Sequence, residues 1–216
     1  MMNNIRMRDD STVAIGLTPK GQERQRKILE AARDVFLEQG FERASIHEIM
    51  QRAGGSISTL YRLYGNKLGL FEAMIMQSTS DLFPITDESD IWTDNVEESL
   101  LQFGQVLLEV LGQTEARSIR RIALSVSSAD SEAIRKVFYE QGPRRVQRLL
   151  AAYLTRQKLL GKVNVVDVDI ASAQFIEMVK SPWYHKAEFG FPIESGEPER
   201  SLQQAVVMFM QGVVVN

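Results

Sequence analysis

The 216 residues predict an all-α protein built as a three-helix domain carrying a helix-turn-helix, followed by a larger helical domain. Three observations carry that prediction. Between Ser45 and Phe71, short apolar stripes at helical spacing are punctuated by glycines. Beyond residue 90 the apolar residues again recur at helical spacing, over longer stretches. With 44% hydrophobic residues, the chain can bury two modest cores, one of about 75 residues and one of about 140. The expected division is an arm at 1–20, a helix-turn-helix domain at 21–76 and a helical domain at 77–216.

Residues 1–20 are polar, with scattered charge and no cleavable signal pattern, which predicts a mobile arm. Arg6 and Arg8 either reach a minor groove or make no contact. Gln22 to Gln39 places Ile28, Ala32, Val35 and Phe36 on one face, stops at Gly40 and is followed by an inward-facing Phe41. Ser45 can cap the next helix, with Glu48 completing a capping box. Ile46, Ile49, Met50 and Ala53 give that helix one apolar stripe, and Gly54 with Gly55 permits the positive φ that ends it. Ser56 caps a second short helix in which Leu60 and Tyr64 point inward, leaving Ile57, Ser58, Tyr61 and Arg62 outward. Gly65 ends this helix, and Asn66 caps a longer one running from Lys67 to about Ser80. Two short helices joined by a glycine turn are the layout that sets a second helix into the DNA major groove.

Asp81 to Asp90, containing Pro84, has loop composition. Thr93 is expected to cap a helix through Leu111 that carries Leu100, Phe103, Leu107 and Val110. Glu115 to Ser127 forms another, and Asp130 or Ser131 starts one that Gly142 and Pro143 interrupt before it resumes to Leu160. Asp167 and Asp169 suit a helix start, where negative charge is stabilising. Two later stripes stand out: Ala171, Phe175, Met178 and Pro182, and Leu202, Ala205, Val206, Phe209 and Met210. They predict helices that either pair with a second subunit as a four-helix interface or pack within one subunit.

The run from Arg26 to Phe71 resembles the DNA-binding domain of the TetR family of bacterial transcription regulators. The matching pieces are ILEAARDVFLEQGFERASIHEIMQRAG and STLYRLYGNKLGLF. Four positions depart from the family pattern: Gly55 replaces a usual Val, Ile57 a basic residue or proline, Tyr64 a Phe, and Leu68 a Glu. The stretch VFYEQGPRRVQRLLAAYLTRQKLLGKV, followed by Asp169, Ile170, Ala171 and Phe175, is similar to the C-terminal domain of an AefR-like, AcrR-related subgroup. The resemblance implies a homodimeric, ligand-responsive regulator, usually a repressor, whose fourth helix transmits effector binding as a wider separation of the recognition helices.

The candidate sites follow. Ser56, Ile57, Ser58, Tyr61 and Arg62 are the candidates for the groove of a palindromic operator, with Arg62 on a guanine edge or a phosphate and Ile57 on a thymine methyl. By resemblance and chemistry, Ser45, Thr59, Tyr61 and Lys67 are the phosphate candidates; His47 faces either DNA or solvent. Lys67 is placed beside free backbone amides that can jointly hold a phosphate. Trp92, Phe103, Leu107, Phe138, Tyr139, Tyr153, Phe175, Met178 and Trp183 either line a cavity for a small apolar or aromatic effector or fill a core.

Net charge is −3, but residues 1–76 hold 11 Lys/Arg against 9 Asp/Glu, while residues 77–216 hold 14 against 19. Positive charge is thus concentrated in the predicted DNA-binding part, and salt sensitivity should be moderate. The absence of cysteine excludes disulfides and thiolate metal sites, and no apolar run approaches a membrane span. A cytoplasmic location is expected. His47 and His185 are far apart, and no HExxH motif or glycine-rich phosphate loop occurs, so no enzyme, cofactor or metal site is expected. A function of another class stays open: a DNA-binding adaptor whose larger domain holds a protein partner without any small effector.

Overall fold

The computed structural model describes residues 18–213, which form eleven helices and no strand. Arg6, Arg8 and most of the predicted arm lie outside the described residues. Helix α1 (Pro19–Arg43) begins inside the predicted arm: Thr18 accepts a hydrogen bond from the Gly21 amide, and Pro19 occupies the first turn, where its missing N–H costs nothing. Gly40, with φ +76°, breaks the helix as expected and swings Phe41 inward. Phe41, Phe36 and Phe71 then meet with ring centroids 5.2 to 5.8 Å apart. That aromatic cluster anchors the first core.

α2 (Ile46–Ala53) and α3 (Ile57–Tyr64) have eight residues each, too few to hold a helix alone. They persist because Ile49, Met50, Ala53 and Leu60 are buried in the first core. α4 (Lys67–Leu82) starts at Asn66, whose side chain accepts from the Gly69 amide. The expected capping box does not form. Ser45 accepts from the His47 amide, while Glu48 is drawn sideways to Arg52 and Gln39, which offer charge-assisted and amide hydrogen bonds.

The larger part comprises α5 (Val96–Gly112), α6 (Thr114–Ser125), α7 (Ser131–Gln141), α8 (Pro143–Leu159), α9 (Val168–Lys180), α10 (Trp183–Glu188) and α11 (Glu197–Val213). Asn95, rather than Thr93, caps α5. Asp167 caps α9, and α10, which the sequence reading lacked, follows Pro182. The first core is not confined to residues 21–76: Ile119, Ile122, Ala123 and Val126 of the α6 region and Ile134 of α7 belong to it. α4 joins both cores, with Leu70, Phe71, Met74 and Ile75 in the first and the following Phe83 in the second.

Of the two alternatives for the apolar stripes, packing within one chain accounts for all but Pro182, which is exposed. Ala171, Phe175, Leu202, Ala205, Val206 and Phe209 are buried within a single chain, and Met178 and Met210 are half-buried against the same core. α5 and α11 approach closely at Gly104, where a Cβ would meet the Leu202 side chain. α11 drops into that notch and brings its apolar stripe onto α5 and α9. Its outer face carries Gln203, Gln204, Val207, Met208 and Gln211, all exposed.

Candidate functional site

The outward side of α2 and α3 carries the first candidate site. Ser56 caps α3 by accepting from the Thr59 amide, and its hydroxyl lies 2.9 Å from those of both Ser58 and Thr59. The start of α3 therefore presents a small set of linked hydroxyls and free helical amides, a combination suited to phosphate or base-edge contacts. Ser56, Ser58, Tyr61, Arg62 and His47 are exposed, while Ser45, Ile57 and Thr59 are half-buried. Arg62 makes no ion pair among the described residues, whereas Arg52, on α2, is fixed by Glu38 and Glu48. Lys67 departs from its expected setting: its ammonium donates to the Glu42 and Ala44 carbonyls at 3.1 and 3.2 Å and sits over the Phe41 ring. The unpaired carbonyls at the end of α1 draw it there, leaving one of its three donors.

The second candidate site is a cavity of about 250 Å³ inside the larger domain. Ser78, Thr79 and Leu82 of α4 form one wall, and Leu107, Val110 and Leu111 of α5 another. Phe138, Val146 and Ile176 complete an apolar interior. Arg120, Glu177, Lys180 and Tyr184 supply its charged and hydroxyl groups. The Arg120 guanidinium and the Lys180 ammonium both lie over the Tyr184 ring, 5.7 and 5.4 Å from its centre. Arg120 also pairs with Glu188, and Lys180 with Glu177.

Of the residues predicted to line a cavity, Leu107 and Phe138 do. Trp92 stacks on Tyr153 at 4.8 Å and packs beside Phe103, and Tyr153 is buried with its hydroxyl donating to the Thr93 carbonyl. Phe103 and Phe175 are fully buried in the second core. Trp183 is buried and donates to the Val179 carbonyl. Tyr139 is exposed, and Met178 borders a surface groove between α9 and α11. Trp92, Phe103, Tyr153, Phe175 and Trp183, being large, fill the core, and the cavity is left beside them among mostly aliphatic side chains. One available sign was Ser78, a buried hydroxyl in register with Leu70, Phe71, Met74 and Ile75, whose best partner is the Met74 sulfur at 3.7 Å.

Against known proteins, residues 28–74 match the N-terminal pattern of bacterial regulatory proteins of the tetR family, and residues 98–212 match the AefR-like transcriptional repressor C-terminal domain. The chain belongs to the TetR family of transcriptional regulators. It is 26% identical to the uncharacterised helix-turn-helix regulator YvkB of Bacillus subtilis over 193 residues, spanning 87% of this chain and 96% of that protein. The fold is similar to that of the flavonoid-responsive regulator FrrA, with a TM-score of 0.78 at 23% identity over 89% of this chain and 98% of that one. It is also similar to Bacillus subtilis FadR in complex with stearoyl-CoA, with a TM-score of 0.62 at 17% identity over 87% and 98% of the two chains. As a TetR-family protein the chain is a DNA-binding transcriptional regulator, and no described helix is long and apolar enough to cross a membrane.

Within this TetR-family frame the departures acquire physical content. Gly55 has φ +138°, and the Arg24 guanidinium lies where its Cβ would stand, so a cation from α1 covers the turn. Leu68 packs partly against the first core. The Tyr64 hydroxyl, which a Phe would lack, is buried; Gln25 approaches it without completing a hydrogen bond. Burial pushes its pKa up to about 12. A further contact that sequence reasoning missed joins the two parts of the TetR-family chain. The Glu42 carboxylate accepts from the Ser127 and Ser128 amides at 3.0 and 2.9 Å and from the Ser127 hydroxyl. These donors hold its pKa below the usual carboxylate range. Because the carbonyl of the same residue receives Lys67, the α6–α7 turn is linked to the start of α4 through one side chain and one backbone group.

Proposed function

We propose that this protein is a repressor that binds a palindromic operator as a homodimer and releases it when a small apolar or aromatic compound fills the cavity. The observation that supports this reading best is α4, whose first residue is tied to the end of α1 just before the helix-turn-helix and whose last turns wall the cavity. A compound that binds more tightly to a cavity of altered shape biases α4, and through it the recognition helix, away from the DNA-bound arrangement. Ser56, Ile57, Ser58, Tyr61 and Arg62 meet the groove. Ser45, His47, Thr59, Tyr61 and the remaining Lys67 donor serve phosphates.

One eight-residue recognition helix reads only a few base pairs, so two copies about 34 Å apart are needed for specificity. The second copy docks on the outer faces of α9 and α11, where Val207 and Met208 are exposed beside the groove lined by Met178, Ser181 and Gln204. The place of action is the bacterial cytoplasm. That a flavonoid-responsive protein and a stearoyl-CoA complex share the fold supports a small-molecule input.

The test is selection of sheared DNA from the source organism by purified protein at moderate salt, with sequencing of the retained fragments. A shared palindrome is expected, together with lower affinity for it when a panel of small apolar compounds is added. Weak, salt-sensitive binding to all fragments would overturn the operator reading. A palindrome whose affinity no compound alters would put the adaptor in the lead, with exposed Phe189 and Phe191 as its candidate docking residues.

A further inference from the structure

Resting on the reading of the cavity as the effector site, we infer that it selects a compound with a compact apolar body and an anionic head, the head being held by Lys180 and Arg120. Size comes first. A dry cavity of about 150 Å³ accommodates benzene, roughly 25 Å³ for each non-hydrogen atom. At that density the cavity of about 250 Å³ takes a body and head of about ten non-hydrogen atoms.

Charge decides the head. Among the charged groups on the cavity wall, Lys180 and Arg120 are the sheltered ones, with side chains 20% and 36% exposed, whereas Glu177 is 60% exposed. The carboxylate that neutralises Lys180 is thus free to swing into water, where it is fully solvated, while the ammonium stays over the Tyr184 ring. Exposed ion pairs within one helix are weak, so an incoming carboxylate displaces Glu177 at little cost. In exchange it gains charge-assisted hydrogen bonds at a site shielded from solvent. Arg120 approaches the same ring from α6, and it retains donors beyond those directed at Glu188 and the Tyr184 hydroxyl. A cationic head meets Lys180, Arg120 with its own partner Glu188, and one mobile acid. It is disfavoured.

The anion also meets an element in contact with the DNA-binding half. Arg120 is on α6, whose turn to α7 holds Glu42, and Lys180 closes α9. A carboxylate on this wall therefore meets groups carried by α6 and α9 together, so head chemistry, and not only occupancy, bears on the response.

The test uses the full-length protein and two matched series by titration calorimetry near neutral pH: 3-phenylpropanoate, 3-phenylpropanol and 3-phenylpropylamine, and octanoate, octanol and octylamine. In at least one series the acid is expected to bind about tenfold or more tighter than the alcohol, with the amine weakest. Lys180→Gln should erase the acid's advantage and leave the alcohol within about threefold, a comparison that a general loss of structure would not mimic. Alcohol binding equal to the acid, or amine binding tighter, overturns the anionic head and leaves the cavity reading intact. No heat from any of the six compounds overturns both.

Discussion

Replacing Leu60 by Ala tests whether the recognition helix is a separately opening unit. Leu60 is the only fully buried residue of α3; Ile57, Leu63 and Tyr64 are half-buried. The substitution removes three buried carbons, worth about 2.4 kcal/mol at about 0.8 kcal/mol each, and a residual void adds to this. A total near 3 kcal/mol is about two powers of ten in an opening equilibrium. Eight residues with one buried anchor cannot remain helical once released, so the loss should be felt as local opening before global unfolding. Amide hydrogen exchange is the assay. Amides of Ile57–Tyr64 should exchange about a hundredfold faster, with those of α8 and α9 nearly unchanged, and operator affinity should fall with the closed population. Unchanged protection in α3, or an equal acceleration along the whole chain, would refute the claim that Leu60 alone pins a separable helix.

Other substitutions test the remaining structural claims. Tyr64→Phe removes a buried hydroxyl that completes no hydrogen bond among the described residues and should hold or raise stability, by about 1 kcal/mol in urea unfolding; a clear loss would mean the hydroxyl is satisfied. Gly104→Val forces α5 away from Leu202 and should cost about 1–3 kcal/mol, seen as a lower midpoint of thermal unfolding. Tyr153→Phe should cost about 1 kcal/mol through the lost bond to the Thr93 carbonyl while leaving ligand binding unchanged, since Tyr153 lies outside the cavity wall. Glu42 has a folded pKa depressed below 4.5, so its contribution is present above that value and is lost as pH falls through the depressed one. Melting curves of wild type and Glu42→Gln should therefore differ at pH 7 and converge in acid; a gap that persists at low pH would exclude the carboxylate as its source.

What the sequence disclosed depended on the range of each interaction. Ser56, Asn66 and Asp167 cap their helices through partners three residues away, and a local pattern contains all that is needed to see this. Glu48 and Lys67 have local partners that look sufficient, yet each is captured by a group from α1 that only the folded chain brings near. The stripes on α9 and α11 were legible as apolar faces, but which surface covers them is set by long-range packing, including the close approach of Leu202 to Gly104. The cavity was the least visible feature. It is defined by where side chains from seven helices stop short, and most of the large aromatics that drew attention to a binding site, Phe138 apart, are residues that fill space.

The divided membership of α4 bears on how such proteins diversify. Its 16 residues span about 24 Å, with one end locked to the reader of DNA and the other exposed to the chemistry of the cavity. Most of the cavity wall belongs to α5, α6, α8 and α9, where a substitution can change the compound that fits without disturbing base contacts. Ser78, Thr79 and Leu82 lack that independence, because a change that shifts their helix is transmitted to Asn66 and Lys67. New inputs are therefore reached through the outer helices, whereas α4 is the part whose history must satisfy two masters at once.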